Sequence, residues 1–393
     1  MSMISKFFGG GQSGSGHSSS SSLHEQVVAV LRTVQDPDLK KDLVTLNMIQ
    51  DLKVDAATGA VSLRVVLTTP ACPLKEKIKS DVDSAVKSVS GVSSVAITMD
   101  AQVRGKSTGA TGSQGGTMSI PGVAHVIAVS SGKGGVGKST VAVNLACALA
   151  KEGARVGLMD ADVYGPNVPT MMGVTEQPII QNTPDKGEVF LPPSAHGVKV
   201  MSMGFLTPGD QPMIWRGPML HSVVQQFCHK VAWGELDYLV VDMPPGTGDI
   251  QLSLAQLVPV TGAVLVSTPQ EVSMQDVRRA HSMFEKVRVP LIGFVENMSY
   301  FMCDGCEKKH YLFGKEGGKM LAKKFKGELL SELPIQPAVR EGGDDGLPIV
   351  VGKPDSSTAQ AFRELARKVA QRVSILTENL SIDPSQIIQI GKF

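Results

Sequence analysis

The sequence predicts an α/β protein: a mostly parallel sheet covered by helices on both faces, preceded by a small α+β domain. Three observations lead there. Short unbroken apolar runs, such as Val126–Val129 and Tyr238–Val241, recur with helical patterns between them. Runs that do not alternate fit strands buried on both faces. A glycine-rich loop, Gly132 to Ser139, lies between one such run and a helical stretch. Ahead of these, residues 23–104 carry a different pattern, with alternating strands and two amphipathic helices.

The elements follow in order. Met1 to Ser22 holds one lysine and a Gly/Ser tract, so residues 1–22 are expected as a disordered tail and not a secretory signal. Helical spacing predicts a helix over Glu25–Val34, which Asp36-Pro37-Asp38 ends. Asn47–Val54 and Val61–Leu67 read as strands joined by a hairpin connection at Asp55–Gly59. Leu74–Val89 reads as an amphipathic helix and Val92–Met99 as a third strand. Residues 105–122, rich in Gly, Ser, Thr and Gln, are expected as a flexible linker. The larger domain is expected over 123–378, with a tail at 379–393. Its strands are Val126–Val129, Arg155–Met159, Tyr238–Val241, Ala263–Ser267 and Pro290–Val295, with helices at Val141–Lys151 and Ser356–Val373.

Composition excludes several classes of function. A net charge of +1 over 393 residues gives no sign of a nucleic-acid or membrane surface. No apolar run reaches the roughly 20 residues of a membrane helix. Five cysteines, odd in number and sparse, argue against a disulfide framework and for a reducing, cytoplasmic setting. Cys147 and Cys228 fall on apolar helical runs and are expected in the core.

The chemistry is carried by the motifs that follow the apolar runs, where ligands sit in such sheets. Gly132-x4-Gly137-Lys138-Ser139 satisfies the phosphate-loop pattern, in the strand–loop–helix context that gives it meaning. Its residues, Gly132, Lys133, Gly134, Gly135, Val136, Gly137, Lys138, Ser139 and Thr140, are the candidate nucleotide-binding set. Glycines let backbone N–H groups converge on phosphate, and the helix N-terminus adds positive charge. Lys138 is expected to reach the β- and γ-phosphates and Ser139 to ligate Mg²⁺. Asp242 ends an apolar strand as a Walker B acid does, and is the second candidate for Mg²⁺.

Two cysteine features remain. Cys303-x2-Cys306 admits several readings: a redox disulfide, a zinc site with His310, a structural pair, or half the ligands of a [4Fe–4S] cluster shared across a twofold axis. Cys72, in Thr68-Thr-Pro-Ala-Cys-Pro73 just before a helix, is either a small buried hydrophobe or an accessory thiol.

Lys133-Gly-Gly-Val-Gly-Lys138-Ser139 resembles the deviant phosphate loop of the MinD/ParA/nitrogenase-iron-protein class. The resemblance implies a P-loop NTPase homodimer in which Lys133 crosses to the partner's nucleotide. It also implies that Asp162, in Asp160-Ala-Asp-Val-Tyr-Gly-Pro166, positions the attacking water while Asp160 supports the loop. Asn297 matches an asparagine that contacts adenine in that class. Together with Asp242-Met-Pro-Pro-Gly-Thr-Gly-Asp249 and Cys303-x2-Cys306, these motifs resemble the Mrp/ApbC family of iron–sulfur cluster carrier ATPases. Arg340 to Pro348 is similar to that family's late nucleotide-site loop, and residues 23–104 are similar to a SufT-like domain. The resemblance implies ATP, Mg²⁺ and a labile [4Fe–4S] cluster, with apo iron–sulfur proteins and cluster scaffold proteins as partners. Lys133, Lys138 and Asp162 are then the catalytic candidates. Hydrolysis is expected to be slow, since no glutamine or in-line base is evident beside Asp162.

Two other functions stay open on sequence. A MinD/ParA-type positioning ATPase needs a basic amphipathic tail or a DNA-binding surface, and the segment from Asn379 has one lysine. An electron-transfer ATPase like the nitrogenase iron protein also bridges a cluster, but with ligands spread along the chain.

Overall fold

The structure, a computed structural model, describes residues 22–103, 105, 119–184, 187–206, 217–303 and 305–381. The expected N-terminal tail, most of the linker and most of the C-terminal tail lie outside them. Contacts separate two compact units; the first comprises the chain up to Asp36, Lys40–Val65 and Lys77–Thr98. Pro37–Leu39 and Val66–Glu76 group with the second unit, together with everything from Met99 on.

The small unit opens with helix Leu23–Leu31. Ser22 accepts from the Glu25 N–H and Glu25 returns a bond to the Ser22 N–H, a capping box that satisfies two orphan donors. Strands Ile49–Asp55 and Ala60–Leu67 form an antiparallel hairpin, with Asp55 accepting from Ala57 and Thr58 in the turn. Ser94–Ala101 completes the three-stranded sheet beside Ala60–Leu67. Helix Lys75–Lys87 turns Ile78, Val82 and Val86 inward at helical spacing. Val27, Leu31, Val61, Leu63 and Val65 are likewise buried.

The second unit is built on an eight-stranded sheet. Its order is Leu329–Glu332, Leu291–Glu296, Gly262–Ser267, Val123–Ser131, Leu236–Asp242, Val156–Asp160, Val198–Ser202 and Ser194–Ala195. Neighbours run parallel except the last pair. The expected α/β architecture is therefore observed. The central strands send alternate residues to opposite faces: Ile127, Val129, Val240, Val264 and Val266 join one apolar cluster, and Val126, Ala128, Leu239, Val241 and Leu265 the other. One layer contains the phosphate-loop helix, Lys138–Lys151, against which the long helix Ser357–Ser381 packs. Helices Gly217–His229 and Glu271–Lys286 contribute to the other. Cys147 and Cys228 are core residues, and burial pushes each thiol up to about 12.

Some boundaries differ from the expected ones. The phosphate-loop helix starts at Lys138, because the loop glycines end at Gly137 and the next residue is free to turn helical. The C-terminal helix runs past Val373 and Asn379 to Ser381, since Leu376 continues the apolar stripe of Val369, Ala370 and Val373. The short strands Val198–Ser202 and Leu329–Glu332 and the hairpin Ile179–Thr183/Gly187–Leu191 have no counterpart in the sequence reading. Arg340–Pro348, expected as a loop, lies largely in helix Pro337–Asp344, which starts with proline in its first turn. No helix among the described residues is long and apolar enough to cross a membrane.

Candidate functional site

The site forms at the carboxyl ends of three adjacent strands, where Ser131, Asp160 and Asp242 come together. The loop between Ser131 and Lys138 is held from behind. A Cβ on Gly132 would come within 2.1 Å of the Asp276 backbone, so only glycine lets helix Glu271–Lys286 approach. Gly135 and Gly137 have φ of +78° and +81°, the left-handed region that favours glycine. Nothing lies within 4 Å of a Cβ built on Gly134 or Gly135, so that side of the loop is open. The helix then begins with no side-chain cap, leaving its first N–H groups for an anion.

Lys138 is 5% exposed. Its Nζ lies 2.6 Å from Asp242 Oδ1, 3.3 Å from Asp162 Oδ2 and 3.2 Å from the Ser139 hydroxyl. Burial alone would lower the lysine's pKa; Asp242 and Asp162 outweigh it and the ammonium is held above its usual range. The Asp242 pKa is raised as well, toward the neutral acid. Burial raises it, and the Lys138 charge and the bonds from Lys138 and Ser139 only partly oppose this. Asp160 is fully buried, and burial together with the Asp242 charge raises it to about 8. Its carboxylate accepts from Ser202 Oγ at 2.8 Å, Asp162 N at 3.1 Å and Val168 N at 3.3 Å, which fixes the loop that presents Asp162. Asp162 Oδ1 accepts from Tyr164 N at 3.1 Å and its Oδ2 faces Lys138.

Asp242 and Asp162 thus face one ammonium, and Asp242 Oδ2 is buried without a hydrogen-bond partner. Two buried acids, one with an orphaned oxygen, fit a divalent cation, which Asp242 and the Ser139 hydroxyl would hold. Bound there, it would neutralise phosphate charge.

The remaining candidates fall in different surroundings. Lys133 is half-buried, and its carbonyl accepts from Ser131 Oγ at 2.9 Å. Asn297 is 7% exposed and its Nδ2 donates to the Val136 carbonyl at 2.9 Å. The amide expected to face adenine is therefore partly engaged by the phosphate loop itself. Cys303 and Cys306 lie in the turn of a two-stranded hairpin, Phe301–Met302 paired with Lys309–His310. The Cys303 N–H donates to Lys308 O at 3.1 Å and Glu307 N to Cys303 O at 2.8 Å. Cys306 and His310 are exposed, Cys303 is half-buried, and the ring Nε2 is 3.5 Å from Cys306 Sγ. The three ligand atoms lie within 4.8 Å of one another, near enough to share one metal centre. Cys72 is half-buried, and its carbonyl accepts from Lys75 N at 3.4 Å as helix Lys75–Lys87 begins.

Against known proteins, the model of the NUBPL iron-transfer P-loop NTPases matches residues 122–370. The chain belongs to that family. A second model, of iron–sulfur cluster assembly proteins, matches residues 24–98. An iron-sulfur cluster carrier protein of Synechocystis is 51% identical over 353 residues, 89% of this chain and 98% of that one. One from Deinococcus radiodurans is 48% identical over 365 residues, 93% of this chain and 99% of that one. Among solved structures, a nucleotide-binding protein from Archaeoglobus fulgidus in complex with ADP is 40% identical. It matches with a TM-score of 0.51 over 58% of this chain and 88% of that chain. As a P-loop NTPase of this family, the chain binds ATP and Mg²⁺.

Two residues of this region escaped sequence reasoning. Gln251, 1% exposed, donates through Nε2 to Ser130 Oγ under the phosphate-loop strand. Glu296, fully buried, ends strand Leu291–Glu296. A charged residue closing an apolar run, directly before Asn297, was the available signal for the second; the first had none.

Proposed function

We propose that this chain is an ATP-hydrolysing carrier that holds a labile [4Fe–4S] cluster between two copies of itself and passes it to apo iron–sulfur proteins. The observation that carries the reading is the pairing, on one unit, of a complete phosphate-loop site with an exposed hairpin offering only two thiolates. A [4Fe–4S] cluster takes four, and a twofold axis through it would supply the other pair. The relatives named as cluster carriers support the cargo.

In this reading Lys138 and the loop N–H groups hold the β- and γ-phosphates. Ser139 and Asp242 hold Mg²⁺, and Asp162 orients the attacking water. Lys133, half-buried at the open side of the loop, reaches the partner's nucleotide. The Asn297 amide oxygen accepts from the adenine amino group. Hydrolysis is slow, and nucleotide state shifts the dimer between arrangements that hold or release the cluster, which requires different affinity for the two. Cluster scaffold proteins load it, in the cytoplasm, without nucleic acid or membrane. Cys72 serves as an accessory thiol.

Anaerobic reconstitution with iron and sulfide tests this. About four irons per two chains are expected, lost in Cys303→Ala/Cys306→Ala, followed by ATP-dependent transfer to an apoprotein. Transfer at the same rate with and without ATP would remove the coupling from the account. A second reading, one zinc ion per chain on Cys303, Cys306 and His310, is favoured by the Sγ–Nε2 approach of 3.5 Å. Zinc without iron after reconstitution would replace the first reading with it.

A further inference from the structure

We infer that Glu296 and Asn297 form a positioning link between the phosphate loop and the cysteine hairpin, so that nucleotide binding alters the exposure of Cys303 and Cys306. The link rests on the reading of those cysteines as the cargo ligands. Strand Leu291–Glu296 ends in the first of these residues, Asn297 follows directly, and the two face different structures. Asn297 Nδ2 donates to the Val136 carbonyl at 2.9 Å, inside the phosphate loop. The Glu296 carboxylate points toward the cysteine segment. Its Oε1 accepts from Ser299 Oγ at 2.5 Å, just ahead of the hairpin. Its Oε2 accepts from Gly318 N at 2.5 Å, in the first turn of helix Gly317–Lys324 just after it.

One buried carboxylate therefore holds both ends of the segment that carries the cysteines. Charge-assisted bonds in a water-free setting are short and directional, so the two ends move with Glu296. The backbone is pinned as well. Asn297 N donates to Ser267 O at 2.8 Å, at the end of strand Gly262–Ser267, and Ser299 N to Leu333 O at 2.9 Å, just past strand Leu329–Glu332. The fit admits little slack: a Cβ on Gly318 would lie 3.0 Å from the Glu296 Cβ and 2.7 Å from Leu329. A close-packed interior transmits such shifts and does not absorb them. When phosphate rearranges the loop around Val136, Asn297 follows its carbonyl, and Glu296, next in the chain, shifts the anchor points of the hairpin.

The test uses the full chain without iron. Cys303 and Cys306 are alkylated with iodoacetamide, with and without saturating Mg²⁺ and a non-hydrolysable ATP analogue, and the rates are read by peptide mass spectrometry. The wild-type rate is expected to change by about fivefold or more on nucleotide binding. Ser299→Ala and Glu296→Gln each reduce that response below about twofold, with nucleotide affinity unchanged. Ser299→Ala removes one hydroxyl and decides the matter if Glu296→Gln does not fold. A wild-type rate that nucleotide leaves unchanged, or a full response in Ser299→Ala, would overturn the link. Because alkylation needs no iron, such a failure stays distinct from a failure of the carrier reading, which the iron count decides.

Discussion

At the phosphate loop Lys138 and Asp242 are almost wholly buried, and Lys138, Asp160 and Asp162 are each fixed by named partners. At the cysteine hairpin Cys306 stands in solvent in the turn, and His310 stands in solvent on a strand of two residues. The contrast follows from what each site has to do. Stabilising phosphate charge requires donors and acceptors fixed in advance and shielded from water. A site that hands over a metal cluster must be reachable by the acceptor, and its incomplete ligand set leaves room for exchange. In the proposed reading both sites draw on a second chain, the first for a single lysine, Lys133, and the second for half of the thiolates of a [4Fe–4S] cluster.

The largest expected effect separates the two regions outright. Cys303→Ala/Cys306→Ala should abolish iron loading and leave ATP affinity intact, measured by iron analysis and nucleotide titration. Loss of nucleotide binding in that variant would break the separation. Next, Lys138→Ala should cut ATP hydrolysis by about a thousandfold. It also leaves Asp162 and Asp242 buried without their ammonium, a loss of about 3–5 kcal/mol. Mg²⁺ should restore part of that in a thermal shift, because the cation takes over the lysine's neutralising role; iron loading should survive. Lys133→Ala should lower hydrolysis by about a hundredfold while each chain still binds nucleotide. Mixing it with Asp162→Asn chains should recover activity if Lys133 acts across the dimer, and recover none if it acts within one chain.

The last expected effect concerns pH. The folded apoprotein raises Asp160 to about 8, whereas the unfolded chain releases that proton near pH 3.9. The folded state therefore holds the extra proton between these values, and stability falls as pH rises through that window, by up to about 1.4 kcal/mol per pH unit. Asp160→Asn should flatten the Tm profile between about pH 5 and pH 8. A wild-type profile parallel to the variant's would show that Asp160 is already ionised.

Legibility in the sequence followed the range of the interactions. The phosphate loop and the central strands could be read because glycine spacing and apolar runs are local signals. The start of helix Leu23–Leu31 was also available, in Ser22 and Glu25. Helix Pro337–Asp344 was hidden by Gly342 and Gly343, although Pro337 marks its first turn. The hairpin around the cysteines is too short to show a period. The bond from Asn297 to Val136 spans 161 positions and that from Gln251 to Ser130 spans 121. Pairings of that range depend on how the strands are ordered in the sheet, and no local pattern encodes them.

Anaerobic native mass spectrometry of the reconstituted chain tests the central claim most directly. The account predicts one species, two chains carrying a single [4Fe–4S] cluster, which collapses to single chains in Cys303→Ala/Cys306→Ala. A single chain carrying its own metal ion or cluster would contradict it and place the complete metal site within one hairpin.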